Sequence, residues 1–529
     1  MNSTTRASGQ EGFRFSLPDL ASARFFAPAL AAITVFSVFY QQRWGSITDT
    51  SWLITVCERV LAGEKLYVDI FETNPPFSVW LYMPPVALAG FLGVAPEILV
   101  HAWTYLAAMV GLGFAGVIVR RARFPEETAL FALSPVFYAL LVIMPGNAFS
   151  QREHIAMALF LPLLALTACR ARGKAPDPSV GMAVLAGLCG SVLVLVKPYY
   201  ALMVLAPALF VIVRQRSLRP LIAPEYWVIG GACVAYLGLV FVVHREFIYD
   251  VYPMVAETYV QVRFLPTVLA IYALPYAAVV ALVWFLARRR GGQELATVAM
   301  LASAAGIFCL VYQGKGFTYH AYPAFFCVLT ALLCMLALPE VGNSAGRTFM
   351  RAALAPIAAA AVILYAFTPF RFTTLPNAAL VQTVRAATDR PTVAQIGTDL
   401  TIGHPFSRMI EGRWVSAYSS DWLGSSALML SEGGGPGAER YLAIADGYVA
   451  RKRTELERAR PDIILTQNND ILWQKIMAER DGLASFLENY RLLAKDGRRS
   501  ILIRKDYKPH AAIAGNSLNW PPSPASASG

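Results

Sequence analysis

Eleven apolar runs, at 25–41, 97–119, 128–146, 154–169, 179–196, 199–214, 226–243, 266–287, 295–312, 321–338 and 352–368, constrain this chain more than any other feature. A bilayer core about 30 Å thick takes roughly 20 apolar residues as helix. Backbone inside it has to satisfy its own hydrogen bonds, so closely spaced runs of this length imply a polytopic α-helical membrane protein. The composition agrees, with 56% of the 529 residues hydrophobic and 15% charged, where soluble domains carry about 25%.

The short loops between the runs carry the orientation. Arginine and lysine cluster on alternate loops: Arg120, Arg121 and Arg123; Arg170, Arg172 and Lys174; Arg214, Arg216 and Arg219; Arg288, Arg289 and Arg290; Arg347 and Arg351. Such clusters stay on the cytoplasmic side, which places the N-terminal segment 1–24 in the cytoplasm. The alternation survives only if the apolar segment 77–94, FSVWLYMPPVALAGFLGV, enters and leaves on one side. It is therefore expected as a juxtamembrane or re-entrant helix, broken at Met83-Pro84-Pro85. The net charge of +11 follows from the same clusters. No motif for nucleic acid accompanies it, so no nucleic-acid partner is expected. Of the seven cysteines, all but Cys57 lie in apolar runs and none forms a Cys-x-x-Cys pair, which reads as buried packing.

Residues 25–369 thus form the membrane region of a bacterial inner-membrane protein. Beyond it the texture changes. Residues 370–515 are polar, with strand-like runs at 392–396, 462–465 and 499–503 and a helical pattern at 438–458. They are expected as a small α/β domain on the periplasmic side. The tail 516–529 has the composition of a disordered end.

The periplasmic loops share one chemistry. The first, between Asp49 and Phe77, holds Asp49, Glu58, Glu64, Asp69 and Glu72; GNAFSQREH brings Gln151, Arg152, Glu153 and His154; Lys197 interrupts two apolar runs; and QGKGFTYHAYP carries Gln313, Lys315, Tyr319 and His320. Ionisable groups beside a bilayer are costly unless they face a cavity or one another. Each also has a plainer reading. Asp49 would cap a helix, Asp69 would close a turn or pair with Lys65, Arg152–Glu153 would be a surface pair, Lys197 would snorkel, and His320 would be interfacial. Their recurrence on one face favours a shared site. Glu58, Glu64 and Glu72 read as ordinary loop carboxylates, and His101 and His244 as structural.

There is no Walker loop, dinucleotide-binding glycine fingerprint, His-Glu-x-x-His or Gly-x-Ser-x-Gly. What remains is an outward pocket with acids to deprotonate a hydroxyl and cations to hold an anion. Glycosyl transfer from a lipid-phosphate sugar uses that inventory. The leaving phosphate would be held by cations or by a divalent metal ion. The rival reading is a secondary transporter or lipid flippase, but the paired broken-helix repeats of such proteins are not seen.

Asp49 after the first span, Gly63-x-x-x-Tyr67-x-Asp69 and Pro75-Pro76 resemble the first loop of the GT-C membrane glycosyltransferases. The similarity is greatest to the protein O-mannosyltransferase and lipid A aminoarabinose transferase branch. The resemblance covers about the first 340 residues. It implies a polyprenyl-phosphate sugar donor, inverting transfer to an envelope lipid or polysaccharide, and an amphipathic helix after the Pro-Pro. It also implies that Asp49 is the catalytic base, with Glu153 and Asp69 orienting acceptor or metal. Lys197, Arg152 and Lys315 would hold the donor phosphate, and His320, Tyr319 and Gln313 would contact the donor. The chain departs from the pattern at Asn74-Pro75-Pro76, where mannosyltransferases carry His-Pro-Pro, and at Arg152-Glu153-His154, where relatives carry an acidic pair.

Overall fold

The computed structural model describes residues 23–42, 47–173, 178–288, 290–339, 345–371, 377–435, 437–468, 470–481 and 483–508. The expected cytoplasmic segment, up to Ser22, and the expected tail 516–529 lie outside them.

Each apolar run forms a helix. The first is α1 (Ala23–Gln42), followed by α2 (Thr48–Leu61), α3 (Phe77–Trp80) and α4 (Met83–Leu92). The bundle continues with α5 (Pro96–Arg121), α6 (Glu127–Val142), α7 (Arg152–Arg172), α8 (Val180–Val196) and α9 (Ala201–Gln215). After α10 (Pro224–Val243) and the short α11 (Tyr252–Glu257) come α12 (Leu265–Ala287), α13 (Glu294–Gln313), α14 (Thr318–Ala337) and α15 (Ala345–Ala366). Seven of the described helices are long and apolar enough to cross a membrane, and the shorter apolar ones include α6 and α8. The chain is a multi-pass membrane protein.

Two sequence expectations are adjusted. The third run stops being α-helix at Val142, where a loop with a single 3-10 turn at Gly146–Ala148 takes over. The Pro-Pro segment breaks at Leu81–Tyr82, two residues before the expected Met83-Pro84-Pro85. Pro84 and Pro85 instead open α4, the position where a missing N–H and a fixed φ are tolerated.

Helices α7 and α14 are buried almost throughout and form the centre of the bundle. Close packing there depends on glycine. A Cβ on Gly111 of α5 would fall 1.9 Å from the Ala158 carbonyl oxygen of α7, so the two backbones touch. α14 packs extensively against α13, whose Gly306 lies against the Ala324 backbone.

The polar unit starts with α16 (Ala378–Ala387) and β1 (Thr392–Ile396), then α17 (Phe406–Met409) and β2 (Arg413–Trp414). Next are α18 (Trp422–Glu432), α19 (Ala438–Ala459) and β3 (Ile463–Gln467). The last elements are α20 (Ile471–Asp481), α21 (Leu483–Leu487), β4 (Tyr490–Lys495) and β5 (Arg499–Arg504). The sheet order is β2-β1-β3-β5-β4, with β1 parallel to β2 and β3 and the β4–β5 hairpin antiparallel. This is the small C-terminal α/β unit expected from the sequence.

That unit docks on α2 and the following loop. Arg408 donates to both Glu58 oxygens, one at 3.1 Å, and its Nε lies 2.6 Å from Glu97 Oε1. Arg59 donates to the Ser416 carbonyl at 2.7 Å, and Phe71 N to the Ala417 carbonyl at 2.9 Å. Trp52 meets the His404 ring at 5.4 Å, and burial takes His404 down to about 3, so it stays neutral. Glu58 is therefore a docking residue and not the ordinary loop carboxylate expected. Removing one partner of a buried ion pair costs roughly 3–5 kcal/mol, and Glu58 is partly exposed. Arg408→Ala is thus expected to cost about 3 kcal/mol and to speed proteolysis of the C-terminal unit. Thermal unfolding in detergent with limited trypsinolysis reads both, and a wild-type melting curve would contradict the clamp.

Candidate active site

The site is built around the loop that joins α6 to α7. Ser150 is held at φ +63, a strained value for serine, by hydrogen bonds on every side. Its N–H donates to His154 Nδ1 at 3.1 Å, its carbonyl accepts from Tyr82 Oη at 2.6 Å, and its hydroxyl accepts from Thr104 at 2.9 Å. Because His154 Nδ1 is an acceptor, Nε2 carries the proton and donates to the Leu141 carbonyl at 2.5 Å. His154, expected among the polar loop residues, is thus a buried pin that sets where α7 begins. Gly146 serves the same end at the other side of the loop. It sits at φ +50, and a Cβ there would meet the Phe370 carbonyl at 2.2 Å.

With α7 starting at Arg152, both Arg152 and Glu153 are buried, at 2% and 0% exposure, so they are not the surface pair of the plainer reading. Lys197 reaches Glu153 Oε1 at 2.6 Å, while Arg152 Nε stands 3.9 Å from Oε2. Lys197 can do this because Pro198 ends the preceding helix and leaves it extended at φ −150. It also donates to Gln313 Oε1 at 3.1 Å and lies 5.5 Å from the Tyr319 ring. His320 follows on α14, within electrostatic reach of Lys197, Arg152 and Lys315, and Nδ1 of this buried ring has no hydrogen-bond partner among the described residues. Arg152 Nε and Nη1 likewise lack one. Buried donors left unfilled are costly, and two of them on a cation beside a lysine form a receptacle for an anion.

Asp49 lies in the first turn of α2 and does not cap it; the N-cap residue is Ile47. It is half-buried, and Gln151 Nε2 donates to its Oδ2 at a long 3.4 Å. Its carboxylate is thereby joined to the start of α7 while remaining partly exposed. Lys315 donates to the carbonyls of Tyr259 and Val262 and lies 3.9 Å from the Tyr259 ring. Burial, reinforced by Arg263, pushes Lys315 down to about 8. Asp69 is exposed and accepts from the Lys65 N–H at 2.8 Å. That is a turn contact, and among the described residues nothing joins Asp69 to the buried cluster.

Three further residues belong to this neighbourhood. Gln151, expected among the polar loop residues but given no role, is fully buried and is the link between Asp49 and α7. Tyr259 is raised well above the usual phenol range by burial and then by the Asp49 carboxylate, which marks it as a neighbour of Asp49. It also meets Trp422 of the C-terminal unit at 4.4 Å. No motif surrounds Tyr259 in the sequence. Glu72 is 1% exposed; it accepts from Trp52 Nε1 and, at 2.8 Å, from the Asn74 N–H. It fixes the Asn74-Pro75-Pro76 turn and is no ordinary surface carboxylate.

Among the described residues no group of three or more His, Cys, Asp or Glu side chains is placed to hold a metal ion. Asp49 and Glu153 have cations and amides for neighbours, so these residues do not fit a metal site.

No protein-family model matches the chain, and no curated protein matches it. Among solved structures it is similar to ArnT from Cupriavidus metallidurans in the apo state, with a TM-score of 0.54 at 14% identity, covering 91% of this chain and 98% of that one. The chain therefore shares the fold of that structure over 91% of its length.

Proposed function

We propose that the protein is an integral membrane glycosyltransferase that moves one sugar from a polyprenyl-phosphate carrier to an envelope lipid or polysaccharide. The carrying observation is the buried Arg152–Glu153–Lys197 cluster, in which two cations share one carboxylate and two Arg152 donors are unfilled. A half-buried carboxylate, Asp49, is connected to it through Gln151. The resemblance of the first loop to GT-C enzymes and the fold shared with ArnT support the same reading. In it, the acidic face is periplasmic and the membrane is the bacterial inner membrane.

In the proposed reaction Asp49 takes the proton of the acceptor hydroxyl as its oxygen forms the bond to the anomeric carbon. The bond from that carbon to the phosphate oxygen breaks, and the electron pair leaves with polyprenyl phosphate. Attack opposite the leaving group inverts the anomeric centre. Arg152 and Lys197 hold the departing phosphate where its charge develops. Glu153 keeps Lys197 charged and aimed, Gln313 fixes the same ammonium, and Tyr319 and His320 face the sugar. Asp69 keeps the loop turned and is assigned no proton transfer. No step is routed through a metal ion.

The test is transfer of label from polyprenyl-phosphate hexoses and pentoses to an envelope lipid extract by purified protein in nanodiscs. Label joined to acceptor supports the reading; label moved across the bilayer without a new glycosidic bond favours a transporter. The same assay carries a pH signature. Lys315 loses its proton as pH rises through about 8, so a rate that depends on its charge falls above that pH. Lys315→Arg remains cationic and is expected to flatten the alkaline limb, whereas an unchanged limb would remove Lys315 from phosphate binding.

A further inference from the structure

We propose that a groove between the first, third and last membrane helices is a binding site for one anionic phospholipid, with its phosphate on Arg371 and an acyl chain along the apolar wall. The groove encloses about 590 Å³ and is lined by α1, α6 and α15. This lies within the roughly 300–1,000 Å³ range of small-ligand sites. Phe36 of α1, Leu140 of α6 with Met144 just beyond it, and Ile363 of α15 with Phe367 just beyond it form its walls. Among the described residues Arg371 is the one charged residue lining it.

Its position is fixed by polar contacts behind the wall. Ser37 and Gln41 of α1 donate to the Val142 carbonyl at 2.6 and 2.7 Å. On a helix this leaves Phe36 and Tyr40, stacked at 5.9 Å, on the groove side. The polar face of α1 is thus spent on α6, and its aromatic face is left for lipid. Two helix ends converge here with the loop that leads to Glu153, so the groove opens at the headgroup level of the leaflet on the acidic face.

Charge decides between occupants. Arg371 is exposed, lies 5.0 Å from the Phe367 ring, and has no carboxylate partner among the described residues. A cation at headgroup level beside an apolar channel fits a lipid with net negative charge better than a zwitterionic one. Arg371 lines this groove and Arg152 and Lys197 do not, so the proposed phosphate is a second one and not that of the sugar donor. The site also touches the machinery indirectly: Gly146, packed on the Phe370 carbonyl, is followed by Asn147, whose Oδ1 accepts from Thr318 at 2.9 Å, next to Tyr319.

The experiment is native mass spectrometry of the full chain, delipidated and titrated with phosphatidylglycerol or phosphatidylethanolamine of matched chains. Wild type is expected to retain one phosphatidylglycerol about fivefold more tightly than phosphatidylethanolamine. Arg371→Gln is expected to bring the two to parity. Ile363→Trp, which fills the groove while leaving the cation, is expected to lose both. Equal retention of the two lipids by wild type would overturn the proposal, as would an unchanged preference in Arg371→Gln. Displacement of the phosphatidylglycerol by polyprenyl phosphate at equal concentration would also overturn it, by making the groove part of the donor site.

Discussion

Replacing Lys197 by Met is expected to reduce sugar transfer by about 10²–10³-fold, the loss typical of removing one preorganised donor from a developing oxyanion. It is expected to cost stability as well. Glu153 is fully buried, and its close ionic partner is the Lys197 ammonium at 2.6 Å, with Arg152 at 3.9 Å. Leaving that carboxylate with Arg152 alone costs about 3 kcal/mol, the low end for breaking a buried pair. The two effects separate in the double variant. Lys197→Met combined with Glu153→Gln removes both charges and is expected to recover part of the thermal stability, because no anion is left without its close partner, while Arg152 keeps Asp49 as a nearby carboxylate. Transfer is expected to stay at the level of Lys197→Met, since the phosphate still lacks its cation. Recovery of activity together with stability would make the pair purely structural.

Much of the fold could be read from local pattern. Apolar run length located the membrane helices, and alternation of arginine clusters set the acidic loops and the Pro-Pro segment on one side. The resemblance in the first loop pointed to the same architecture as the overlap with ArnT. The candidate site was legible where its residues are neighbours in sequence, as in Gln151-Arg152-Glu153, or interrupt an apolar run, as Lys197 does. Contacts between residues far apart in the chain were not legible. Arg408 meets Glu97 across 311 residues and Glu58 across 350, and neither periodicity nor composition encodes such a meeting. Glu72 looked like a surface acid because burial depends on Trp52 folding over it. Tyr259 sits in a loop whose place is set by Lys315 and Trp422, so nothing within the loop announces it. The short strand β2 and the bulged strand β4 escaped because pairing defines them more than alternation does.

Asp49→Asn is the second large expected effect, and it differs in kind from Lys197→Met. The aspartate is half-buried, does not cap α2, and among the described residues its side chain has one long hydrogen bond, from Gln151. An amide of the same shape fits that place, so stability is expected to change by less than about 0.5 kcal/mol, as for other substitutions away from the core. An amide cannot accept the hydroxyl proton. The loss of general-base catalysis is expected to lower turnover by about 10²–10⁴-fold, with donor binding unchanged because Arg152 and Lys197 are untouched. A deficit confined to turnover would separate Asp49 from the phosphate-holding residues.

The most direct measurement is therefore turnover of a labelled polyprenyl-phosphate sugar by purified wild-type and Asp49→Asn protein, matched for thermal stability and for binding of the donor. Formation of a glycosylated envelope lipid by wild type, with a hundredfold or greater loss in Asp49→Asn, is the expected result. Equal turnover in the two proteins would contradict Asp49 as the base. No product from wild type with any donor in the panel would contradict the assignment as a glycosyltransferase.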